Sequence, residues 1–579
     1  MPQPTPSDSG LSRRLGDFST LPEALSYAAK GQTGLNVYSG RGDLLETLSW
    51  GALRDQAVLV AQRLLGAGLR RGDRVGLVAT ADGEFARLFL ACQLAGLIPA
   101  PLPLPLAFGG RDTYVDHLSR MAAAAHASAL IVPPNLLSWF PAAESLGLRL
   151  LLSPAQLAEQ PGGSVPLQPT TPDEIGYLQF SSGSTRFPLG VAVTQKALMA
   201  NLHGITASGL QVRGSDRTVS WLPLYHDMGL VGFFLAPLAS QMSLDWMPTA
   251  EFARRPLEWL RLISRNRGTL SYAPSFGYEL CVRRLRNAPP PEELDLSCWR
   301  GAGLGGDMIR PHHLRAFSEA FSSVGFRSTA FVPSYGMAEA TLALSFAPLD
   351  QGMRTDEVDL DRLENEGIAA APEPGHRSRS FVLCGPPLPG HVIEARDEAG
   401  QVLPDRHVGR LFASGPSLML GYDGRPDETA QALSADGWLD TGDLGYRLGG
   451  EVVITGRAKD LIIVNGRNIW PQDLEWTVEH AASRAGEVAA FTVEFDPDTG
   501  LEELIVLVEA RTSEAQSRQE LLDEAASAIR QVHGLEGRVI LVPPGSLPHT
   551  SSGKLSRSRS RQLYQAGAFK MTAAEALPG

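Results

Sequence analysis

Strand-like and helix-like segments alternate along residues 20–150, and this alternation constrains the fold more than any other feature of the sequence. Residues 49–65 carry apolar side chains at helical spacing, 73–79 form an apolar strand-like run, and 85–95 return to helical spacing. The proline-rich segment 99–103 is expected to form a stiff connector. Because parallel strands linked by helices are covered on both faces, the pattern predicts an α/β fold with a largely parallel sheet.

The net charge of the chain makes some classes of binding partner unfavourable. The 579 residues include 51 Lys and Arg against 63 Asp and Glu, a net charge of −12. This excess disfavours binding to nucleic acid or to an anionic membrane, which both require a positive surface. No apolar run reaches the length of a membrane span, and residues 1–10 lack a secretion signal pattern. We therefore expect a soluble, cytoplasmic protein of two or three domains that holds any anionic ligand through local donors.

A loop of small hydroxyl residues and glycines lies between two predicted strands, 175–180 and 191–194. The loop contains Ser181, Ser182, Gly183, Ser184 and Thr185. Backbone N–H and hydroxyl groups in such a loop can surround phosphate oxygens. Taken alone, the segment is equally consistent with a ligand-free turn, and no Gly-Lys-Ser/Thr follows it as in a P-loop.

Two further segments predict where an elongated ligand would bind. Tyr225, His226 and Asp227 follow a predicted strand and precede a long apolar segment, as at the mouth of an apolar cavity. The glycines of 301–306 would let the backbone approach a flat ligand closely. Each pattern also has a plain structural explanation, since single histidines and glycine-rich turns are common in folds without ligands.

Three later turns carry acidic or basic side chains that could bind a nucleotide or a metal ion. Tyr335 could stack on a base while Glu339 holds Mg²⁺, although a helix start with a surface glutamate fits the same residues. Asp440 and Asp443 lie at a tight turn, where a carboxylate can accept both hydroxyls of a ribose. Lys554 lies in a small-residue loop that could swing into a site on a larger domain, or could belong to a solvated tail.

The domain boundary is predicted at the charged bend within 452–463. A large domain would span 1–458, and a small α+β domain would span 459–579. The polar, acidic segment 348–380, punctuated by proline and glycine, is interpreted as an insertion or a surface excursion.

Together these motifs resemble the adenylate-forming superfamily of acyl-CoA synthetases, peptide-synthetase adenylation domains and luciferases. The similarity extends from about residue 21 to 565, and 221–230, 274–281 and 465–475 are most similar to the fatty acyl-AMP ligases. In that subgroup an insertion at the position of 348–380 is associated with delivery of acyl-adenylate to a carrier protein instead of CoA. The resemblance implies a large adenylate-forming domain of several subdomains with a small, mobile α+β C-terminal domain.

The resemblance also implies a reaction in two halves. A fatty acid carboxylate attacks the α-phosphate of ATP, with Mg²⁺, and expels pyrophosphate. The phosphopantetheine thiol of an acyl carrier protein, or of a carrier domain of a polyketide or peptide synthase, then takes the acyl group. An ordinary fatty acyl-CoA synthetase is the first alternative, favoured if 348–380 is detached from the interdomain face. A degenerate adenylate-binding scaffold is the second.

The implied roles extend to individual residues. The catalytic residues would be Lys554, Glu339 and His226, with Lys459 as the hinge. The ATP- and AMP-binding residues would be Ser181, Ser182, Gly183, Ser184, Thr185, Gly305, Gly306, Asp307, Ser334, Tyr335, Gly336, Met337, Asp443 and Arg457. The metal ligands would be Thr185 and Glu339, and the acyl-site residues would be His226 and Phe276.

The phosphate loop departs from the family pattern at two positions. The family usually has Gly-x-Pro-Lys-Gly after its threonine, whereas this chain has Leu189 in place of the lysine and Arg186 in place of the first glycine. We predict that Arg186 restores positive charge near the pyrophosphate, so that activity survives. Asp307, where relatives often have glutamate, is expected to be tolerated.

Overall fold

The computed structural model describes residues 3–105, 110–162, 166–181, 188–286, 288–464, 467–482, 484–496, 501–550 and 554–569. In chain order the strands are β1 (Gly34–Tyr38), β2 (Leu44–Ser49), β3 (Arg74–Val78), β4 (Ile98–Leu102), β5 (Ala127–Ile131), β6 (Leu150–Leu152), β7 (Ile175–Phe180), β8 (Gly190–Thr194), β9 (Arg217–Ser220), β10 (Ser243–Trp246), β11 (Leu270–Ala273), β12 (Gly301–Leu304), β13 (Phe331–Gly336), β14 (Ala343–Phe346), β15 (Thr355–Asp359), β16 (Ser378–Val382), β17 (Val392–Arg396), β18 (Gly409–Ser414), β19 (Gly421–Tyr422), β20 (Leu439–Leu448), β21 (Glu451–Arg457), β22 (Ile462–Val464), β23 (Arg467–Ile469), β24 (Ala485–Asp496), β25 (Leu501–Ala510) and β26 (Arg538–Val542).

The α-helices are α1 (Leu21–Ala28), α2 (Trp50–Gly66), α3 (Gly83–Ala95), α4 (Arg111–Ala124), α5 (Pro134–Leu137), α6 (Pro154–Glu159), α7 (Gln195–His203), α8 (Ala236–Ala239), α9 (Thr249–Arg254), α10 (Leu257–Asn266), α11 (Ser275–Leu285), α12 (Pro311–Phe321), α13 (Leu360–Glu366), α14 (Pro426–Ala432), α15 (Pro471–Ala481), α16 (Ala515–His533) and α17 (Arg557–Gln565). In the part of the chain described, none of these helices combines the length and apolar character needed to cross a bilayer.

The fold is α/β, as the alternation predicts. An eight-stranded sheet runs β14-β13-β12-β11-β9-β10-β1-β2, and its inner neighbours pair in parallel. A second, fully parallel sheet runs β4-β3-β5-β6. The helices cover these sheets. For example, the Asp82 side chain caps α3 by accepting from the N–H of Phe85, and Gly96 ends the helix at φ 67°.

The proline-rich segment 99–103 is a strand, which corrects the prediction of a connector. Residues 98–102 form β4 at the edge of the second sheet, and Pro99 and Pro101 lie opposite Val75 and Leu77 of β3. An edge strand pairs on one side only. Proline is therefore tolerated where the missing N–H would point away from the neighbouring strand.

The C-terminal region has a core of its own. Strands β24, β25 and β26 form a three-stranded sheet, and α15 and α16 pack with it around buried residues such as Leu474, Val506 and Ile529. We call the region from residue 459 onward the lid. Its strand β25 and its helix α16 agree with the α+β character predicted for it.

The segment 348–380 is ordered and folded. Strands β15 and β16 pair antiparallel, with α13 between them in sequence. Val358, Leu363 and Phe381 form a small core with Tyr446 of β20. The Tyr446 hydroxyl donates to Asp356 at 2.7 Å, which fixes the insertion to the large domain.

Candidate active site

A cleft of about 720 Å³ lies between the large domain, the insertion and the lid. The predicted site residues that line it are Ser181, His226, Gly305, Gly306, Asp307, Ser334, Tyr335, Gly336, Met337, Glu339, Asp443, Arg457, Lys459 and Lys554. They come from the ends of β7, β12 and β13, from the β20–β21 hairpin and from the lid. The structure thus brings together side chains that are far apart in sequence.

The remaining predicted residues fall into two groups. Residues 182–187, which include Ser182, Gly183, Ser184, Thr185 and Arg186, fall outside the described part of the chain. Phe276 does not line the cleft. It is 37% exposed on α11 and packs edge-on against Trp221, with 5.9 Å between ring centroids. The sequence places Phe276 beside a strand end, but the face of the helix that it occupies is set by tertiary packing.

Tyr335, Asp443 and Arg457 form one hydrogen-bonded group. The Tyr335 hydroxyl donates to Asp443 Oδ2 at 2.7 Å, and Arg457 Nε lies 3.2 Å from Asp443 Oδ1. Asp443 and Arg457 are direct partners across the β20–β21 ladder, so sheet register holds the pair. Asp443 in turn raises the pKa of Arg457. The result is a buried carboxylate with fixed orientation beside an aromatic ring, suited to a ribose and a base.

Glu339 is a second buried carboxylate at the cleft. It lies in a short turn after β13, and its Oε1 accepts from the Tyr422 hydroxyl at 2.9 Å. Burial raises the pKa of Glu339, an effect that the Tyr422 hydrogen bond partly offsets. Among the described residues, no three His, Cys, Asp or Glu side chains converge on a metal position. Mg²⁺ commonly uses one or two carboxylates together with substrate phosphates, so the hard oxygens of Glu339 fit that ion.

His226, Asp227 and Lys554 all line the cleft. His226 Nδ1 lies 2.6 Å from Asp227 Oδ1, which also accepts from the Met228 N–H at 2.7 Å. Burial opposes ionisation of Asp227, but His226 and Lys554 outweigh it and lower the pKa of this carboxyl. The sequence analysis named the turn that carries Tyr225, His226 and Asp227 but assigned a catalytic role to His226 alone. The acid directly after a histidine at a strand end was the signal for Asp227.

Apolar side chains also line the cleft. They are Ile205, Leu210, Phe233, Leu342 and Phe346. Phe233 belongs to a π-helical segment, 228–235, that follows directly on His226 and Asp227. Gly232 in the same segment keeps space open, since a Cβ there would lie 3.2 Å from Leu342. An apolar cavity beside the His-Asp turn agrees with the sequence prediction.

The insertion is in direct contact with the lid. Arg379 of β16 pairs with Asp473 of α15 at 2.5 Å, and both side chains are 8% exposed. Arg377 donates to the carbonyl of Val532 at 2.8 Å. The Trp476 ring lies between two guanidinium groups, 5.1 Å from Arg310 and 5.4 Å from Arg379. The segment 348–380 is therefore part of the interdomain face.

Comparison with known proteins assigns the chain to a family of nucleotide-binding enzymes, in agreement with the geometry of the cleft. Residues 28–423 match the AMP-binding enzyme family. The chain belongs to this family. It is 53% identical to a "Putative acyl-CoA synthetase" of Caulobacter vibrioides over 98% of both chains. It is 33% identical to the "Medium-chain-fatty-acid--[acyl-carrier-protein] ligase JamA" of Moorena producens, over 95% of this chain and 96% of that one.

A solved structure extends the comparison to the whole fold. It comes from a study of fatty acyl-adenylate ligases from E. coli and L. pneumophila, with a TM-score of 0.90 and 44% identity. The match covers 96% of this chain and 100% of that one. The protein is thus an acid-adenylating ligase, with a large N-terminal adenylate-forming domain and a smaller C-terminal part.

Proposed function

We propose that the protein is a fatty acyl-AMP ligase. It would convert a fatty acid and ATP into acyl-adenylate and pyrophosphate, then pass the acyl group to a phosphopantetheine thiol on an acyl carrier protein or carrier domain. The large domain would span 1–458 and the lid 459–579, with Lys459 as the hinge between the half-reactions. The two fatty-acid-activating relatives described above support this assignment.

The observation that carries the proposal is the docking of the insertion on the lid. A surface excursion at 348–380 would have favoured an ordinary acyl-CoA synthetase. Instead, the buried Arg379–Asp473 pair joins the insertion to α15 of the lid. An acceptor must enter between the large domain and the lid, so an element fixed at this junction is placed to select among acceptors.

The charges of the cleft suit the first half-reaction. Two anions must meet, because a carboxylate attacks a phosphate, so positive charge is needed where negative charge concentrates. Lys554 would supply it at the fatty acid carboxylate and α-phosphate. Asp443 would hold the ribose hydroxyls, while Tyr335, Gly306 and Asp307 would frame the adenine. Mg²⁺, held by Glu339 and Thr185, would neutralise phosphate charge.

Product analysis tests this proposal. The protein is incubated with ATP, Mg²⁺ and fatty acids of increasing length, alone, with CoA, and with a phosphopantetheinylated carrier protein. Acyl-AMP that accumulates despite CoA and disappears only with the carrier supports the ligase. Absence of adenylate with every acid would overturn the proposal.

The second candidate is a fatty acyl-CoA synthetase. The name of the relative that is 53% identical favours it. Rapid conversion of the adenylate to acyl-CoA in the same experiment would establish this candidate and would mean that the docked insertion does not select the acceptor.

A further inference from the structure

We propose that His226 is the general base of the thiol-transfer half-reaction and that Asp227 is its positioning residue. The inference rests on the proposed transfer to a phosphopantetheine thiol, and it adds a named proton acceptor to that step. Nothing in the first half-reaction needs such a base, since a fatty acid is already ionised at neutral pH.

The cleft creates the need for a base. A thiol of pKa about 8.5 is mostly protonated at neutral pH, and the thiolate is the nucleophile. Carboxylates (Asp227, Glu339) and cations (Arg457, Lys459, Lys554) line the cleft together. A free thiolate that enters the cleft would lose its hydration, because burial disfavours the charged form. Removal of the proton inside the cleft, at the moment of attack, avoids this cost.

The His226–Asp227 contact has the geometry of an oriented base. The Met228 N–H lies 3.3 Å from His226 Nδ1, but the separation of 2.6 Å between Nδ1 and Asp227 Oδ1 is much shorter and favours the tautomer that carries its proton on Nδ1. Nε2 is then the nitrogen with the free lone pair, on a side chain that lines the cleft. The Met228 N–H fixes the same carboxylate oxygen at 2.7 Å, so the orienting group is itself held in place. Asp227 would stabilise the imidazolium that forms.

Other titratable groups at the cleft fit the role less well. Glu339 is committed to the Tyr422 hydroxyl, and Asp443 is committed to Tyr335 and Arg457. Burial lowers the pKa of Lys459, but the neighbouring Asp460 favours the charged form of this lysine, and a charged lysine cannot accept a proton. A histidine exchanges protons readily near neutral pH, as this step requires.

The step balances in atoms and charge. The S–H proton moves to His226 Nε2 while a sulfur electron pair forms the bond to the acyl carbonyl carbon. The bond from that carbon to the phosphate oxygen then breaks, and AMP leaves with the electron pair and needs no proton. The imidazolium returns its proton to solvent. The products are a thioester and AMP.

Charges from several elements act on the dyad and shape its pH dependence. Lys554 of the lid lowers the pKa of Asp227. The pKa of Glu339, in the turn after β13, is raised by burial first and by Asp227 to a smaller extent. Tyr177 of β7 is also raised in pKa, by burial first and by Asp227 second. Replacement of Asp227 by Asn removes the carboxylate that holds the Nδ1 proton and stabilises the charged ring. The pH–rate profile of thiol transfer should then change.

The test isolates the transfer step. Full-length protein is loaded with synthetic acyl-AMP, and single-turnover transfer is followed to a phosphopantetheinylated carrier, to pantetheine and to a thiol of much lower pKa. The variants are His226→Ala, Asp227→Asn and the control His203→Ala, whose histidine contacts the Leu15 carbonyl away from the cleft. Binding of an acyl-sulfamate analogue of the adenylate checks that each variant retains its site.

We expect His226→Ala to slow transfer to the carrier and to pantetheine by at least about 100-fold, within the usual range for a general base. The loss should shrink to below about tenfold for the low-pKa thiol, and added imidazole should restore part of the rate. Asp227→Asn should move the acid limb of the pH–rate profile of transfer to lower pH, and His203→Ala should match wild type.

A loss that is equal for all thiols, unrescued by imidazole, with an unshifted profile in Asp227→Asn, would overturn the proposal. If the wild-type protein still transfers the acyl group to the carrier, those results do not contradict the proposed function. A wild-type protein that adenylates but never transfers would instead remove the carrier-directed function, and this inference with it.

Discussion

Replacement of Arg379 by methionine leaves the Asp473 carboxylate buried without its partner. Removal of one member of a buried ion pair costs about 3–5 kcal/mol, whereas replacement of both members by neutral groups is often close to neutral. Since both side chains are 8% exposed, solvent screens this pair little. We therefore expect Arg379→Met to weaken docking of the lid on the insertion by roughly 100- to 4,000-fold, at about 1.4 kcal/mol per factor of ten.

The assay is hydrogen exchange of α15 combined with a double-mutant cycle. Arg379→Met should strongly deprotect the helix, and Arg379→Met with Asp473→Asn should recover most of the protection. Arg362→Met is the matched control within the insertion. It breaks an i,i+4 pair with Glu366 whose side chains are 47% and 48% exposed, worth about 0.5 kcal/mol at most.

The pH dependence sharpens this prediction. Burial raises the pKa of Asp473 to about 6, despite Arg379. Because this pKa lies above that of an exposed aspartate, the ionised form penalises docking, and docking weakens as pH rises through about 6. The defect of Arg379→Met should thus be larger at pH 8 than at pH 5. Additive effects of the two substitutions, or a docking defect that does not change with pH, would show that the Arg379–Asp473 ion pair does not hold the lid on the insertion.

Four further predictions concern the cleft. Lys554→Ala should abolish adenylation with the fold intact, measured as acid-dependent pyrophosphate release; comparable release by the variant would overturn the catalytic role. Arg186→Ala should raise the Michaelis constant for ATP, and an unchanged value would remove its compensating role for Leu189. Tyr422→Phe removes a hydrogen bond that lowers the pKa of Glu339, so the acid limb of the adenylation pH–rate profile should move to higher pH. An unmoved limb would show that ionisation of Glu339 does not control adenylation. Gly232→Leu should shift the preferred fatty acid to shorter chains, because a side chain there meets Leu342; an unchanged chain-length profile would place the acyl chain elsewhere.

The sequence predicts elements wherever periodicity is strong. Residues 49–65 and 73–79 were predicted as helix and strand, and they correspond to α2 and β3 within a residue or two. The prediction of a connector at 99–103 was wrong because proline is excluded from central strands but is tolerated in edge strands. The local sequence does not show whether a strand lies at the edge of a sheet.

The same limit applies to the candidate site. Tyr335, Glu339, Asp443 and Arg457 were predicted as separate motifs, and they meet in one cleft. The outward position of Phe276 depends on which face of α11 is buried. The pairing of Arg379 with Asp473 depends on where the insertion lies against the lid. Both are products of tertiary packing, which residue spacing does not reveal.

Delivery of the adenylate to a carrier-bound thiol is the proposed activity that distinguishes this ligase from an acyl-CoA synthetase. A competition measures it directly: preformed, labelled acyl-AMP on the full-length protein is offered CoA and phosphopantetheinylated carrier at equal concentration. We predict that nearly all of the label appears on the carrier. Label found mainly on CoA would contradict carrier delivery.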